Sequence, residues 1–379
     1  MRSRALSGGD RLTDALVADA QARLLARIDG TAPEMRPAFP HAADSETGRW
    51  EAKAGGAWTD GFWVGLCWLA YRLTKADRYR DWGLEWAARL RGRERTMTHD
   101  IGFLFQYAAV LGWETTREAM LRELGLACAD RLVAMSHLAA RVIPVGAHAE
   151  VSSGLDDVTI DCMMNLQVLW WAARETEIAR YREVAVAHAE RTFAWHVRPD
   201  GSCLQSVHFD PATGHPVKKH THQGYADDGC WSRGLAWCAY GFVEAFRATG
   251  REDFLAIARN AVEYHMRRTP LDPVTFNDYD DPRIPQAPRD TSAAAILASS
   301  ALALEEAGAG PAGRYRDEAG RIVAALAAGY LTPLGPDDRR PPGMLLHGCY
   351  NPYTGEAPDH ELIWGDYFLL EALARWQGR

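Results

Sequence analysis

TDGFWVGLCWLAYRL, residues 59–73, has the pattern of a helix with apolar side chains on nearly every face. A short polar cluster, Thr59 and Asp60, opens it. A helix that is apolar almost all the way round must be buried on all sides. This segment therefore predicts a helix in the interior of a large helical domain.

Five further segments have the same character, an apolar helical run that opens on a small or polar cluster. They are HDIGFLFQYAAVLGW (99–113), IDCMMNLQVLWWAA (160–173), WSRGLAWCAYGFVEAF (231–246), RDTSAAAILASSALAL (289–304) and WGDYFLLEALARW (364–376). Amphipathic helical patterns lie between them, at 77–91, 117–139, 180–196, 251–268 and 313–330. The alternation predicts an all-α (α/α)6 barrel with a six-helix inner ring and a six-helix outer ring, in one domain over residues 1–379. A helical solenoid or two separate bundles is the alternative.

In such a barrel all six inner helices begin at the same mouth, and their opening residues cap them. The polar side chains at these positions are expected to converge on one cavity: Asp60, Asp100, Asp161, Arg233, Asp290 and Asp366. Asp100 and Asp161 each precede a strongly apolar run. Two carboxyl groups in one apolar cavity have separated pKa values, and one of them stays protonated near neutral pH, as a general acid requires. N-capping alone is the alternative for either residue.

The composition limits the possible partners and the location. A net charge of −8 argues against nucleic acid, because phosphate binding needs a basic surface. No apolar run reaches the length of a membrane span, and the N-terminus lacks the apolar region of a signal peptide. Seven cysteines without framework spacing indicate free thiols in a reducing cytoplasm. A small anionic substrate remains compatible with this charge.

Other residues that could take part in chemistry include tryptophans near the mouth, which could stack on sugar rings, although most of the 14 are expected to be core. Arg233 can form a fork to a carboxylate, or a plain salt bridge to Asp227, Asp228 or a neighbouring barrel acid. His220 and His222 with Cys230 fit no zinc pattern. We therefore expect no metal and no cofactor.

These segments together resemble the unsaturated glucuronyl hydrolases of glycoside hydrolase family 88, almost end to end. The resemblance rests on GFWVG (61–65), HDIGF (99–103), IDCMMNL (160–166), HQGYADD (222–228), WSRGLAW (231–237), DYDDP (278–282), RDTSAAAI (289–296) and WGDYFLLEAL (364–373). HDIGF together with the D-x-MMNL block is specific. The resemblance implies an (α/α)6 barrel, in agreement with the helical pattern.

The resemblance also implies roles for individual residues. Asp161 matches the acid/base, and Asp100 matches the assisting aspartate. The residues that match substrate-binding positions are His99, Trp63, His208, Gln223, Trp231, Arg233 and Trp237. Many members carry an aromatic residue upstream of the acid/base, whereas RVIPVGAHAEV (141–151) has none, so a different second subsite is expected.

The implied reaction is hydration of the C4=C5 enol ether of a terminal unsaturated uronic acid in a lyase-generated oligosaccharide. Asp161 would protonate C4 and then activate the water that adds at C5, while Arg233 or the histidines hold the carboxylate. Three alternatives stay open: an unsaturated rhamnogalacturonyl hydrolase, a conventional inverting glycosidase using Asp100 and Asp161, and a non-enzymatic carbohydrate-binding toroid. The oligomeric state is not determined by the sequence.

Overall fold

A computed structural model of the chain describes residues 12–147, 154–333, 335 and 337–379. Residues 1–11, which bear on the expectation about a signal peptide, lie outside the described part, and so do residues 148–151 of the segment without aromatic side chains. Within the described residues, no helix is long and apolar enough to cross a membrane.

The chain is mainly helical, which confirms the prediction of the helical class. The helices are α1 (Asp14–Met35), α2 (Asp60–Thr74), α3 (Asp77–Arg89), α4 (Ile101–Phe105), α5 (Leu111–Thr116), α6 (Ala119–Met135), α7 (Cys162–Thr176), α8 (Ala179–His196), α9 (Ser232–Thr249), α10 (Glu252–Arg268), α11 (Thr291–Glu306), α12 (Arg314–Gly329) and α13 (Ile363–Trp376). A π-helical segment, Gln106–Val110, joins α4 to α5. The apolar run at 99–113 is therefore one helical unit with a wider turn in its middle.

The six apolar segments pack against one another in sequence order. Helix α2 contacts α4, α4 contacts α7, α7 contacts α9, α9 contacts α11, α11 contacts α13, and α13 contacts α2 again. The amphipathic helices α3, α6, α8, α10 and α12 pack on α2, α7, α7, α9 and α11 respectively, and α1 packs on α12 and α13. The fully apolar helices thus have protein on all sides, as their sequences require.

Six short strands complete the described structure: β1 (Phe39–Asp44), β2 (Trp50–Lys53), β3 (Asp157–Thr159), β4 (Ser206–Phe209), β5 (Pro216–His220) and β6 (His360–Leu362). They form two antiparallel three-stranded sheets, in the orders β2-β1-β6 and β3-β4-β5. In the second sheet Val158 pairs with Val207. This sheet lies beside the start of α7 and fixes the loop that carries Asp161.

Glycine allows α4 and α7 to approach each other closely. A Cβ atom on Gly102 would lie 2.3 Å from Cβ of Asn165 and 2.6 Å from its Cα. Because the obstructing atoms include backbone, a larger residue would push α4 and α7 apart. Gly102 follows Asp100 by two residues, and Asn165 follows Asp161 by four, so this contact brings the two carboxyl groups into one neighbourhood.

The expectation that the opening residues cap the inner helices is wrong for the two candidate catalytic residues. Asp100 and Asp161 occupy N-cap positions in helical backbone conformation, and neither side chain accepts a capping hydrogen bond. Asp290, in extended conformation, does cap α11 by accepting from Ser292 N and Ala293 N. An Asp whose own residue is already helical points its side chain away from the N–H groups of the first turn. The carboxyl groups of Asp100 and Asp161 therefore remain available for other partners.

Candidate active site

The N-terminal ends of the apolar helices surround an open cavity with about 530 Å³ of empty space between its walls. Its lining comes from the residues that precede or begin these helices and from the loops between them. They are Trp58, His99, Asp100, Phe103, Val145, Thr159, Asp161, His222, Gln223, Trp231, Arg233 and Tyr350. Six of the nine predicted site residues are thus brought together: Asp100, Asp161, His99, Gln223, Trp231 and Arg233.

Asp100 lies among hydrogen-bond donors. Thr98 Oγ1 donates to its Oδ2 at 3.0 Å, and His99 Nε2 is 3.3 Å from its Oδ1. Burial raises the pKa of Asp100 to about 6, and the hydrogen bond from Thr98 opposes that rise. Because this hydrogen bond favours the ionised form, Asp100 is suited to remain a carboxylate.

The carboxyl group of Asp161 has fewer hydrogen-bond partners than that of Asp100. Its Oδ2 is buried and has no hydrogen-bond partner among the described residues. Burial raises the pKa of Asp161 to about 6, the charges of His99 and Arg233 oppose the rise, and the charge of Asp100 adds to it. Of the two carboxyl groups, Asp161 is therefore the one better suited to hold a proton.

The histidines of the cavity are neutral near neutral pH. Burial lowers the pKa of His99 to about 4, and burial together with the charge of His220 lowers the pKa of His222 to about 4. Arg233 is then the one permanent cation among the described residues that line the cavity.

Arg233 is fixed by several acceptors and is almost fully buried. Its Nη1 donates to Asp290 Oδ2 and to Cys349 O, both at 2.6 Å, and its Nη2 donates to Tyr350 O at 2.8 Å. Its guanidinium also lies 4.5 Å from the ring centre of Trp231. The salt bridge to a neighbouring barrel acid is thus present, formed by Asp290, and only part of the guanidinium fork is left for a ligand.

Several buried polar atoms of the residues that line the cavity have no hydrogen-bond partner among the described residues. They are Asp161 Oδ2, Thr159 Oγ1, His99 Nδ1, His222 Nδ1 and Trp231 Nε1. Buried polar atoms are nearly always paired with protein, water or ligand. A concentration of unpaired donors and acceptors around one cavity indicates a site for a ligand rich in hydroxyl or carboxylate oxygens.

Three of the predicted substrate-binding residues do not line this cavity. Trp63, on α2, is 1% exposed and packs edge-on against Trp86 with ring centres 5.4 Å apart. Trp237 is also 1% exposed and packs on Phe103 and Phe368 in the core.

His208 lies on β4, where its Nδ1 is 3.7 Å from Asp156 Oδ1, and it does not line the cavity. Besides His99, the histidine that lines the cavity is His222, two residues after the end of β5. Its neighbour His220 pairs with Asp157 at 2.9 Å. Among the described residues, no group of three or more histidine, cysteine or acidic side chains is arranged to hold a metal.

The expectation that six polar residues converge on the cavity is wrong for three of them. Asp60, Asp290 and Asp366 are buried within the protein and do not line it. Asp60 accepts from Gly56 N and Ala57 N, and Asp290 holds Arg233. Asp366 lies beside Glu361, and burial and the charge of Glu361 raise its pKa. These three carboxyl groups hold loops and helices in place.

Five lining residues had no role predicted from the sequence: Trp58, Phe103, Val145, Thr159 and Tyr350. Trp58 immediately precedes the first apolar segment, and its ring lies 4.8 Å from that of Trp364. Its position one residue outside the helical pattern was the available signal. Tyr350 lies in a loop without periodicity, where the sequence offered no signal.

A family model described as Glycosyl Hydrolase Family 88 matches residues 28–255. The unsaturated glucuronyl hydrolase of Bacillus sp. (strain GL1) is 36% identical over 346 residues, which are 89% of this chain and 90% of that protein. The crystal structure of an unsaturated glucuronyl hydrolase from Bacillus sp. GL1, responsible for the degradation of glycosaminoglycan, has a TM-score of 0.89 and 33% identity, and covers 95% of this chain and 96% of its own.

A further solved structure, of a UGL variant with dGlcA-Glc-Rha-Glc, has a TM-score of 0.87 and 33% identity, and the match covers 95% of both chains. These relatives and structural neighbours are unsaturated glucuronyl hydrolases, and the similarity extends over nearly the whole chain. The family model spans well over half of the sequence and includes both aspartates of the cavity. The chain therefore belongs to glycosyl hydrolase family 88.

Proposed function

We propose that this chain releases a terminal 4,5-unsaturated uronic acid from oligosaccharides produced by polysaccharide lyases. The observation that carries the proposal is the pairing of two carboxyl groups with raised pKa values in a cavity with unpaired polar atoms. The fit is chemical: hydroxyl groups and a carboxylate can satisfy those atoms, and a protonated carboxyl group can serve as the acid.

In the first step of the proposed reaction, Asp161 in its acid form gives its proton to C4. The π electrons of the C4=C5 bond form the new C4–H bond, and the positive charge that develops at C5 is shared with the ring oxygen. Asp100 stays ionised with the hydrogen bond from Thr98, and its charge stabilises the developing cation. Asp161 is left as a carboxylate.

In the second step, the carboxylate of Asp161 takes a proton from a water molecule while the water oxygen adds to C5. The product is a hemiketal, and Asp161 regains its acid form. The hemiketal opens as its C5 hydroxyl loses a proton, the bond between C5 and the ring oxygen breaks, and the ring oxygen takes up a proton, which leaves a ketone at C5 and a hemiacetal at C1. The hemiacetal then becomes an aldehyde as its hydroxyl loses a proton and the bond between C1 and the aglycone oxygen breaks, and the aglycone leaves with a proton as an alcohol. One residue thus acts as acid and then as base.

The carboxylate of the uronic acid is placed beside Arg233. Arg233 supplies positive charge there, and the N–H groups of Trp231 and Gln223 supply donors. An anion placed near Asp100 and Asp161 would be repelled by the ionised partner. This orientation directs C4 and C5 of the sugar towards Asp161.

The proposal extends to the architecture and the setting of the enzyme. The closed succession of contacts from α2 through α13 and back supports an (α/α)6 barrel that forms a single domain over residues 1–379. All seven cysteines are free and buried, which favours a reducing compartment, so we assign the enzyme to the cytoplasm. Its partner is a small anionic oligosaccharide, and neither nucleic acid nor membrane is part of this function.

Isotope labelling of the product tests this reaction. Lyase-generated unsaturated disaccharides are incubated with the enzyme in deuterated and in heavy-oxygen water, and loss of the ultraviolet absorbance of the conjugated enoate is recorded. Deuterium is expected at C4 and the oxygen label at C5 of the first-formed product. The saturated uronide serves as the control and should remain intact. Label at C1, or comparable hydrolysis of the saturated glycoside, would favour the conventional inverting mechanism instead.

A further inference from the structure

Gln205 is buried and contacts two segments of the active-site wall, the segment just before Asp161 and the segment that carries His222 and Gln223. It lies just before β4, outside the cavity lining, and its backbone oxygen accepts from Ile160 N at 2.9 Å, one residue before Asp161. Its side chain contacts the loop that carries His222 and Gln223. Gln205 therefore supports the acid on one side and the proposed carboxylate-binding wall on the other.

The orientation of the Gln205 amide is determined by its surroundings. Its Oε1 accepts from His222 N at 3.0 Å, from Gln223 N at 3.1 Å and from Thr221 Oγ1 at 2.5 Å. Two of these donors are backbone N–H groups, which can only donate. The atom that faces them must be the oxygen, and the opposite atom must be the nitrogen.

The two hydrogens of Gln205 Nε2 are then both assigned. One points to Gln223 Oε1 at 2.7 Å and the other to His222 Nε2 at 3.2 Å. Since Gln205 donates to it, His222 Nε2 must accept through its lone pair. A neutral imidazole with an accepting Nε2 carries its proton on Nδ1.

The geometry at His222 Nδ1 gives this tautomer a consequence for the ligand. Nδ1 is buried and has no hydrogen-bond partner among the described residues, and His222 lines the cavity. Trp231 Nε1, on the same wall, is also a buried donor without a described partner. His222 and Trp231 consequently present N–H donors in the same cavity as Arg233.

We propose that Gln205 is a positioning residue that locks His222 in the tautomer protonated on Nδ1, so that His222 donates a hydrogen bond to the carboxylate of the uronic acid. The part of this inference that concerns the uronate rests on the proposed function, whereas the tautomer does not. Gln205 itself touches no substrate. It acts by fixing which atom of His222 is the donor.

Nuclear magnetic resonance determines the tautomer of His222 directly. The enzyme is labelled with ¹⁵N-histidine, long-range ¹H–¹⁵N correlations are recorded at neutral pH, and the His222 signals are identified by their loss in His222→Gln. In the wild type Nδ1 should be protonated and Nε2 unprotonated. In Gln205→Glu, Nε2 should become protonated whether the ring is neutral or charged, because a carboxylate accepts and cannot donate. Glu has nearly the shape of Gln, and thermal unfolding checks that the variant is folded.

The effect of Gln205 on substrate binding is measured by comparing KM and kcat of the variant with those of the wild type. Gln205→Glu should raise KM for the unsaturated disaccharide roughly ten- to hundredfold, the equivalent of one hydrogen bond to a charged group, with a smaller effect on kcat. Ser206→Ala is the matched control: it is the next residue, its side chain is buried, and its Oγ has no hydrogen-bond partner among the described residues. It should leave the His222 signals and KM unchanged.

A protonated Nε2 in the wild type, or an Nε2 that stays unprotonated in Gln205→Glu, would overturn the assignment. An unchanged KM in a variant whose tautomer has switched would overturn the role of His222 in uronate binding. A wild-type enzyme with the expected tautomer that leaves unsaturated disaccharides intact would contradict the proposed function and leave the Gln205–His222 relationship standing.

Discussion

Arg233 and Asp290 form a buried ion pair at 2.6 Å that joins the start of α9 to the start of α11. The other carboxylate oxygen of Asp290 accepts from the first turn of α11, from Ser292 N at 3.1 Å and Ser292 Oγ at 2.5 Å. The ion pair therefore holds the starts of α9 and α11 together. It also fixes the position of the positive charge that faces the aspartates.

We expect Arg233→Lys to affect both stability and binding. A lysine keeps the charge but lacks the planar fork that reaches Asp290, Cys349 O and Tyr350 O together. Buried acceptors left unpaired should lower the free energy of unfolding by about 1–3 kcal/mol, and KM should rise. Denaturant unfolding and initial rates measure the two effects. Arg80→Lys, at an exposed ion pair, is the control and should change stability by less than about 0.5 kcal/mol. A stable Arg233→Lys enzyme with normal KM would contradict this account.

Asp161→Asn should abolish turnover while the fold and substrate binding persist. The same group donates and then accepts a proton, and loss of a general acid/base costs on the order of a hundred- to ten-thousandfold in rate. Single-turnover assays and a direct binding measurement separate chemistry from affinity. A variant with a near-normal rate would remove Asp161 from the mechanism.

The pH dependence of kcat/KM should be bell-shaped with an optimum near pH 6. Burial raises the pKa of both Asp100 and Asp161 to about 6, and the reaction needs one proton on the pair. Above the optimum Asp161 loses its proton, and below it Asp100 gains one, so the rate falls on both sides.

Asp100→Asn should change this profile in a defined direction. The charge of Asp100 contributes to the raised pKa of Asp161, so its removal lowers that pKa. The alkaline limb of the residual activity should move to lower pH, and the acid limb should disappear. The profile is measured from initial rates across a pH series. If the alkaline limb keeps its position in the variant, the two carboxyl groups do not interact as described.

Trp58 and Trp63 should respond differently to replacement by alanine. Trp58 lines the cavity, so Trp58→Ala should raise KM roughly two- to tenfold through loss of a ring face for the sugar. Trp63 is buried in the core, so Trp63→Ala should lower the free energy of unfolding by about 3–5 kcal/mol. Kinetics and denaturant unfolding of both variants provide the comparison. A large KM effect confined to Trp63→Ala would reverse the assignment.

The sequence by itself predicted the helical class and the position of every apolar helix. Apolar residues on all faces of a helix require burial whatever the neighbours are, and helical periodicity is a local property. The specific blocks HDIGF and IDCMMNL also identified Asp100 and Asp161, and the structure brings both to one cavity.

Only the tertiary structure decided which of the remaining polar and aromatic residues face that cavity. Trp58 and Trp63 are five residues apart. Trp58 precedes α2 and lines the cavity, whereas Trp63 lies on α2 and is buried in the core. Gln205 and His222 are 17 residues apart and meet only because β4 and β5 pair. Hydrogen-bond direction, burial and the resulting pKa values depend on neighbours distant in sequence, and so no local pattern could predict them.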